Sequence, residues 1–195
     1  MMEMHDGMGS KLVGLISQID SKESVDLQDL KSDLRETLDD LRMVVDSINP
    51  VDNDLVTVLA NYRGRLEKTL KGSRFKLSWD IEDLPPVSNL DLHASLNILR
   101  IIQEACTNVL KYSCGTHITI SAKESVSGEV LITIHDNGSG FLESDVGSGR
   151  GLENMSKRAD QLGGKLTIVS NCCGVSIILS LRTVAEAKPS SSNAH

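Results

Sequence analysis

Three short segments bring together residue types that can hold a charged ligand. Gln103-Glu104-Ala105-Cys106-Thr107-Asn108-Val109-Leu110-Lys111-Tyr112-Ser113 places an acid and an amide one helical turn apart. Asp136-Asn137-Gly138-Ser139-Gly140-Phe141 sets a carboxylate at the end of an apolar alternation. Gly149-Arg150-Gly151-Leu152-Glu153-Asn154-Met155 runs a glycine loop into a helix. Taken singly each is ordinary, since Asp-Asn-Gly is a hairpin turn by default and a lone Gly-x-Gly is a weak signal. In this order they supply what is needed to hold a nucleotide and its metal.

The helix carries the first part of that chemistry. Asn97, Arg100, Glu104, Asn108 and Lys111 fall on one stripe, opposite Ile98, Leu99, Ile102, Ala105, Cys106, Val109 and Leu110. A solvated face is the plain reading of such a stripe. Asn108 argues for more, because asparagine is a poor helix-interior residue unless its amide has a partner. With Glu104 it can share a hard cation such as Mg2+, which takes one or two protein oxygens and completes its shell with phosphate and water. Asp136 follows the inward residues Val130, Ile132 and Ile134. It is either a turn residue or an acceptor for the exocyclic amine of a base. The glycines that follow end at the first turn of a helix, where free N–H groups favour an anion. No Gly-Lys-Ser/Thr occurs, and the Gly147-x-Gly149-x-Gly151 spacing is not a dinucleotide fingerprint.

These segments need elements to position them. Met8, Leu12, Leu15 and Ile19 form one helical stripe. Leu27, Leu34, Leu41 and Ile48 repeat every seven residues in a second, with Leu30, Leu38 and Val45 between them. Two such helices bury their seams most economically as a dimeric four-helix bundle; the alternative packs both on the rest of the chain. After Asn49-Pro50, Leu55, Leu59, Tyr62, Leu66 and Leu70 predict a third amphipathic helix, and Phe75, Leu77, Trp79 and Ile81 a half-buried strand. Leu84-Pro85-Pro86 is a linker, and Ser88 or Asn89 is positioned to cap the long helix bearing Glu104. Strands near 117–123 and 129–135 follow, then a short helix stopped by Gly163-Gly164, then a hairpin of strands near 165–169 and 175–181. The expectation is an α+β chain: a helical hairpin over 1–49, a mixed-sheet α/β domain with helices on one face over 50–184, and a disordered tail over 185–195.

Bulk properties narrow the partners. A chain of 195 residues with 39% hydrophobic and 24% charged residues can bury one sizeable core. A net charge of -7 argues against nucleic-acid binding. No apolar run is long enough to span a membrane, so no membrane contact by this segment is expected. Cys106, Cys114 and the vicinal Cys172-Cys173 lack metal-ligand spacing and suit a reducing, cytoplasmic compartment.

Gln-Glu-x-x-x-Asn-x-x-Lys-Tyr-Ser, Asp-Asn-Gly-x-Gly-Phe and Gly-x-Gly-Leu-x-x-Met-x-x-Arg-Ala-x-x-Leu-Gly-Gly resemble the N, G1 and G2 boxes of sensor histidine kinases. The likeness is greatest to the subfamily paired with LuxR-type response regulators and covers residues 3–182. It implies a Bergerat-type ATP-binding fold, shared with gyrase and heat-shock chaperone ATPases. It further implies ATP and Mg2+ as cofactors, a homodimer, and a LuxR-type response regulator as partner. Glu104 and Asn108 would then serve the Mg2+–phosphate end, with Lys111 and Tyr112 flanking the phosphates. Asp136 would meet adenine, Gly138 and Gly140 would shape the base pocket, and Gly149, Gly151 and Leu152 would form the lid. Glu3-Met4-His5-Asp6-Gly7-Met8-Gly9 is similar to the subfamily's phosphoacceptor box, making His5 the phosphorylated residue and Asp6 its orienting acid.

The departures are specific. The chain starts two residues before the phosphoacceptor box, as the cytoplasmic portion of a longer, membrane-anchored sensor would. Ser10 stands where the family has Gln, which bears on phosphatase activity. Gly174-Val175 replaces the usual Gly-Thr of the last box, which on this reading removes a phosphate-side contact. The competing function is a nucleotide-gated interaction module with weak or no kinase activity.

Overall fold

The structure, a computed structural model, describes residues 54–141 and 150–184 together with Leu34 and Leu38. The chain divides into two units, Met1–Pro50 and Val51–His195. Of the first, Leu34 and Leu38 are helical and remain 42% and 52% exposed in the single chain. The expected helical hairpin, His5, Asp6 and Ser10 lie outside the described residues, as do Gly149 and the tail.

In the second unit, α1 (Leu55–Leu70) buries the five residues of its stripe, Leu55, Leu59, Tyr62, Leu66 and Leu70. Asp54 caps it, accepting from the amides of Val56 at 3.3 Å and Thr57 at 2.9 Å and from the Thr57 hydroxyl at 2.7 Å. Burial pushes the Asp54 carboxyl up, but these three bonds outweigh it and hold the group below its usual range. The long helix α2 (Leu92–Tyr112) starts at Asp91, whose carboxylate accepts from Ala94 N at 2.6 Å. The expected caps Ser88 and Asn89 do not serve. Ser88 N–H pairs with the Arg182 carbonyl at 2.9 Å, and Asn89 turns the chain at φ 55°, postponing the first helical residue.

Among the described residues, five strands form one mixed sheet in the order β1-β2-β3-β5-β4. They are β1 (Lys76–Ile81), β2 (His117–Glu124), β3 (Glu129–Asp136), β4 (Lys165–Asn171) and β5 (Gly174–Arg182). Only β1 and β2 pair in parallel; the other ladders are antiparallel. Ile118, Ile120, Ala122, Val130, Ile132, Ile134, Ile177, Leu179 and Leu181 are buried along alternate positions. Helix α1 packs on β1 and α2, α2 on β3, and α3 (Arg150–Gln161) on β4 and α2. The opposite face is largely polar, with Thr119, Ser121, Thr133, His135, Ser176 and Thr167. This is the mixed-sheet α+β layer expected from the strand and helix order.

The polar stripe of α2 is not a solvated face. Asn97 and Arg100 are only 8% and 9% exposed, because α3 lies across them and Asn97 Nδ2 donates to Gln161 Oε1 at 3.3 Å. Among the described residues no helix is long and apolar enough to cross a membrane.

Candidate functional site

A cavity of about 560 Å³ opens between α2, the end of β3, the start of α3 and the β4–β5 hairpin. That volume is within the range of small-molecule pockets. Glu104, Asn108, Lys111, Tyr112, Asp136, Gly140, Gly151 and Leu152, all singled out in the sequence, line it. Its walls include the aliphatic side chains of Ile134, Ile168, Val175 and Ile177. His5, Asp6 and Gly149 fall outside the described residues.

Asp136 is 2% exposed and continues the buried alternation of β3, so it faces the helix-covered side of the sheet. The hairpin-turn alternative is therefore discarded: β3 ends there, and its next ladder partner is the distant β5. Asp136 Oδ1 accepts from Ser113 Oγ at 2.6 Å and from Gly138 N at 2.8 Å. Both bonds fall on one oxygen, leaving Oδ2 for a ligand. A Cβ at Gly138 would sit 2.7 Å from Asp136 Oδ1 and collide with Ser113 Oγ, so only glycine lets the backbone approach this closely.

Glu104 and Asn108 are half-buried on α2. Glu104 and Asn108 precede Ser113 by nine and five positions, about 13 Å and about 8 Å along the helix axis. The carboxylate–amide pair and Asp136 thus lie far enough apart to serve opposite ends of one elongated ligand. Gly151, in the first turn of α3, packs so tightly on Glu104 Oε1 that a Cβ there would collide with it. The described residues contain no cluster of three or more His, Cys, Asp or Glu that would hold a metal alone. One carboxylate and one amide fit Mg2+ brought in with a phosphate, which supplies the missing oxygens. Lys111 and Tyr112 stand exposed at the rim, Tyr112 at 80%.

Several residues that shape the site carried no assigned role in the sequence. Ser113 closes α2 and also accepts from Gly115 N at 3.0 Å, fixing the hydroxyl that holds Asp136. Asn137 Oδ1 accepts from Thr116 N at 2.8 Å and His117 N at 2.9 Å, tying the end of β3 to the start of β2. Ser170 Oγ bonds both Phe141 N at 2.7 Å and Phe141 O at 2.8 Å, latching the glycine loop to β4. The only sequence signal for Ser113 was its place at the end of the first segment.

The last glycine box needs correction. Val175 is the ladder partner of Asp136, so its departure from the family pattern falls beside Asp136. Gly174, at φ 127°, lies against the Asp136 carbonyl so closely that a Cβ would collide with it.

Residues 93–184 match the family model described as histidine kinase-, DNA gyrase B-, and HSP90-like ATPase. The sensor histidine kinase LiaS of Bacillus subtilis (strain 168) is 26% identical over 86% of this chain and 48% of its own length. The nitrate/nitrite sensor protein NarQ of Escherichia coli (strain K12) is 32% identical over 72% of this chain and 23% of its own. Among solved structures, the EL346 blue-light activated histidine kinase of Erythrobacter litoralis has the same fold. It superposes with a TM-score of 0.66 at 13% identity, covering 92% of this chain and 57% of that one. The chain spans about half the length, or less, of these curated relatives. Residues 93–184 thus resemble the histidine kinase-, DNA gyrase B-, and HSP90-like ATPases, and the curated relatives that share the likeness are sensor proteins, LiaS among them a sensor histidine kinase.

Proposed function

We propose that this chain is the kinase portion of a two-component sensor histidine kinase, which uses ATP to phosphorylate itself on His5 and passes the group to a response-regulator aspartate. The observation that carries the reading is Asp136. It is a nearly dehydrated carboxylate with one oxygen anchored by Ser113 and Gly138, in an apolar-walled cavity that also holds Glu104 and Asn108. A buried acceptor with a fixed direction suits the exocyclic amine of adenine, and the isoleucines suit its faces.

Glu104 and Asn108 would hold Mg2+ and the phosphates, with Lys111 at the rim and the Gly149–Gly151 segment closing over them. Bound ATP supplies the phosphoryl group. His5 presents one ring nitrogen as nucleophile while Asp6 holds the other and takes up its proton. The leucine heptads of residues 27–48 would form a homodimer; the exposure of Leu34 and Leu38 in the single chain supports that. A LuxR-type response regulator is the partner favoured by the likeness in motifs, and the cytoplasm is where such a segment would act.

The test is labelling with γ-³²P ATP. We expect an acid-labile, base-stable label on the wild type that disappears in His5→Gln while nucleotide binding persists. Label retained in His5→Gln would mean another acceptor. Nucleotide binding with no label in the wild type would favour the interaction-module reading instead.

A further inference from the structure

The two-residue turn between β4 and β5 consists of Cys172 and Cys173, both exposed, with their sulfurs 3.9 Å apart. The turn is braced on both sides. Cys173 N donates to Asn171 Oδ1 at 2.8 Å, Asn171 pairs with Gly174, and Gly174 is pressed against the Asp136 carbonyl. Two vicinal thiols on a braced turn, neither of them lining the Asp136 cavity, form a site of their own.

The sulfur separation decides what that site can take. A disulfide needs its sulfurs about 2.05 Å apart, a closure of nearly 2 Å on a braced turn. Two thiolates bound to one atom at about 2.3 Å span roughly 3.8 Å at the tetrahedral angle of zinc, and roughly 3.4 Å at the tighter angle of a three-bonded atom that keeps a lone pair. Chelation of one soft atom therefore asks the sulfurs, 3.9 Å apart, to close by only about half an ångström, far less than a disulfide does. A structural zinc would need two more ligands, and among the described residues no third His, Cys, Asp or Glu joins the pair. The fitting atom is one that brings its own third substituent.

We propose that Cys172 and Cys173 form a chelating site for a monosubstituted trivalent arsenical. As each sulfur–arsenic bond forms, the thiol gives up its proton and an arsenic-bound hydroxyl leaves with it as water. Two bonds release two waters, and arsenic stays trivalent, so nothing is oxidised or reduced. The other thiols do not compete on equal terms. Cys106 is 2% exposed, and burial pushes its thiol up to about 12. Cys114 is exposed but has the Ser139 hydroxyl as its neighbour, at 3.4 Å, and offers one sulfur only.

The experiment adds phenylarsine oxide to the full chain in excess 2-mercaptoethanol, followed by intact-protein mass spectrometry under native conditions. Making the second bond intramolecular is worth about 10²–10⁴ in affinity, so the chelate should survive a monothiol that strips single-cysteine adducts. We expect one adduct per chain, removed by 2,3-dimercaptopropanol. Cys172→Ser and Cys173→Ser should each weaken its retention by about 100-fold or more, with unchanged circular dichroism because both side chains are exposed. Cys114→Ser and Cys106→Ser should retain it. No adduct on the wild type, an adduct that survives Cys172→Ser, or one lost in Cys114→Ser would each overturn the proposal.

Discussion

Ser113→Ala removes the shorter of the two hydrogen bonds that anchor Asp136 while leaving the carboxylate in place. The effect divides into two parts of different size. The bond exists with or without ligand, so its energy appears first as stability. A hydrogen bond to a charged, buried acceptor contributes about 1.5–3 kcal/mol, and each kcal/mol lowers Tm by roughly 2–4 °C in a protein of this size. The melting temperature should therefore fall by about 3–12 °C. Nucleotide affinity loses less, because Gly138 N still holds Oδ1 and only the cost of fixing a looser side chain is added on binding. That cost is about 0.5–1.5 kcal/mol, or roughly 2- to 12-fold in Kd. Calorimetry with Mg·ATP and thermal melting read both parts. Ser113→Thr is the control, since the extended backbone at Ser113 (φ -74°, ψ 137°) accepts a β-branched residue that keeps the hydroxyl. If Ser113→Ala leaves both Kd and Tm unchanged, or if Ser113→Thr is as damaged as Ser113→Ala, the hydroxyl does not position Asp136.

Gly174→Ala should destabilise by roughly 1–3 kcal/mol from overpacking against the Asp136 carbonyl, beyond its left-handed backbone strain. Gly72→Ala, also at positive φ but with open space around it, isolates that strain, and equal melting temperatures for the two variants would refute the packing argument. Asp54→Ala should cost about 0.5–2 kcal/mol at pH 7 through loss of the α1 cap. The carboxyl is held below its ordinary value of 3.8, so the charged cap contributes fully above that pH and is lost as pH falls through the folded value. The gap between wild type and Asp54→Ala should therefore narrow on acidification in denaturant melts; a constant gap from neutral pH to well below 3.8 would show that charge is irrelevant. Leu34→Asp should abolish the proposed dimerisation when mass is read by light scattering, because a charge placed in a helical seam is costly to bury; a monomeric wild type at micromolar concentration would refute the heptad argument.

What the chain determined by itself is what depends on near neighbours. The spacing of Leu55, Leu59, Tyr62, Leu66 and Leu70 made α1 legible, since helical periodicity repeats within one turn. Alternation marked the strands, and Gly163 at φ 62° marked the stop of α3, because these preferences are local. Glu104, Asn108 and Asp136 were legible as candidate site residues because each sits in a segment of unusual composition. Tertiary structure decided everything that required distant segments to meet. Whether Asp136 was a turn residue or a buried acceptor depended on Ser113, 23 positions earlier, and on β5 pairing beside β3. The stripe on α2 was ambiguous until α3 covered Asn97 and Arg100 and left Glu104 and Asn108 to the cavity. Asp91 displaced Ser88 and Asn89 as cap because the chain before α2 was already drawn to the end of β5. Gly174 became indispensable only once the Asp136 carbonyl lay against it, for no periodicity along a chain encodes the distance between two strands that the fold alone brings together.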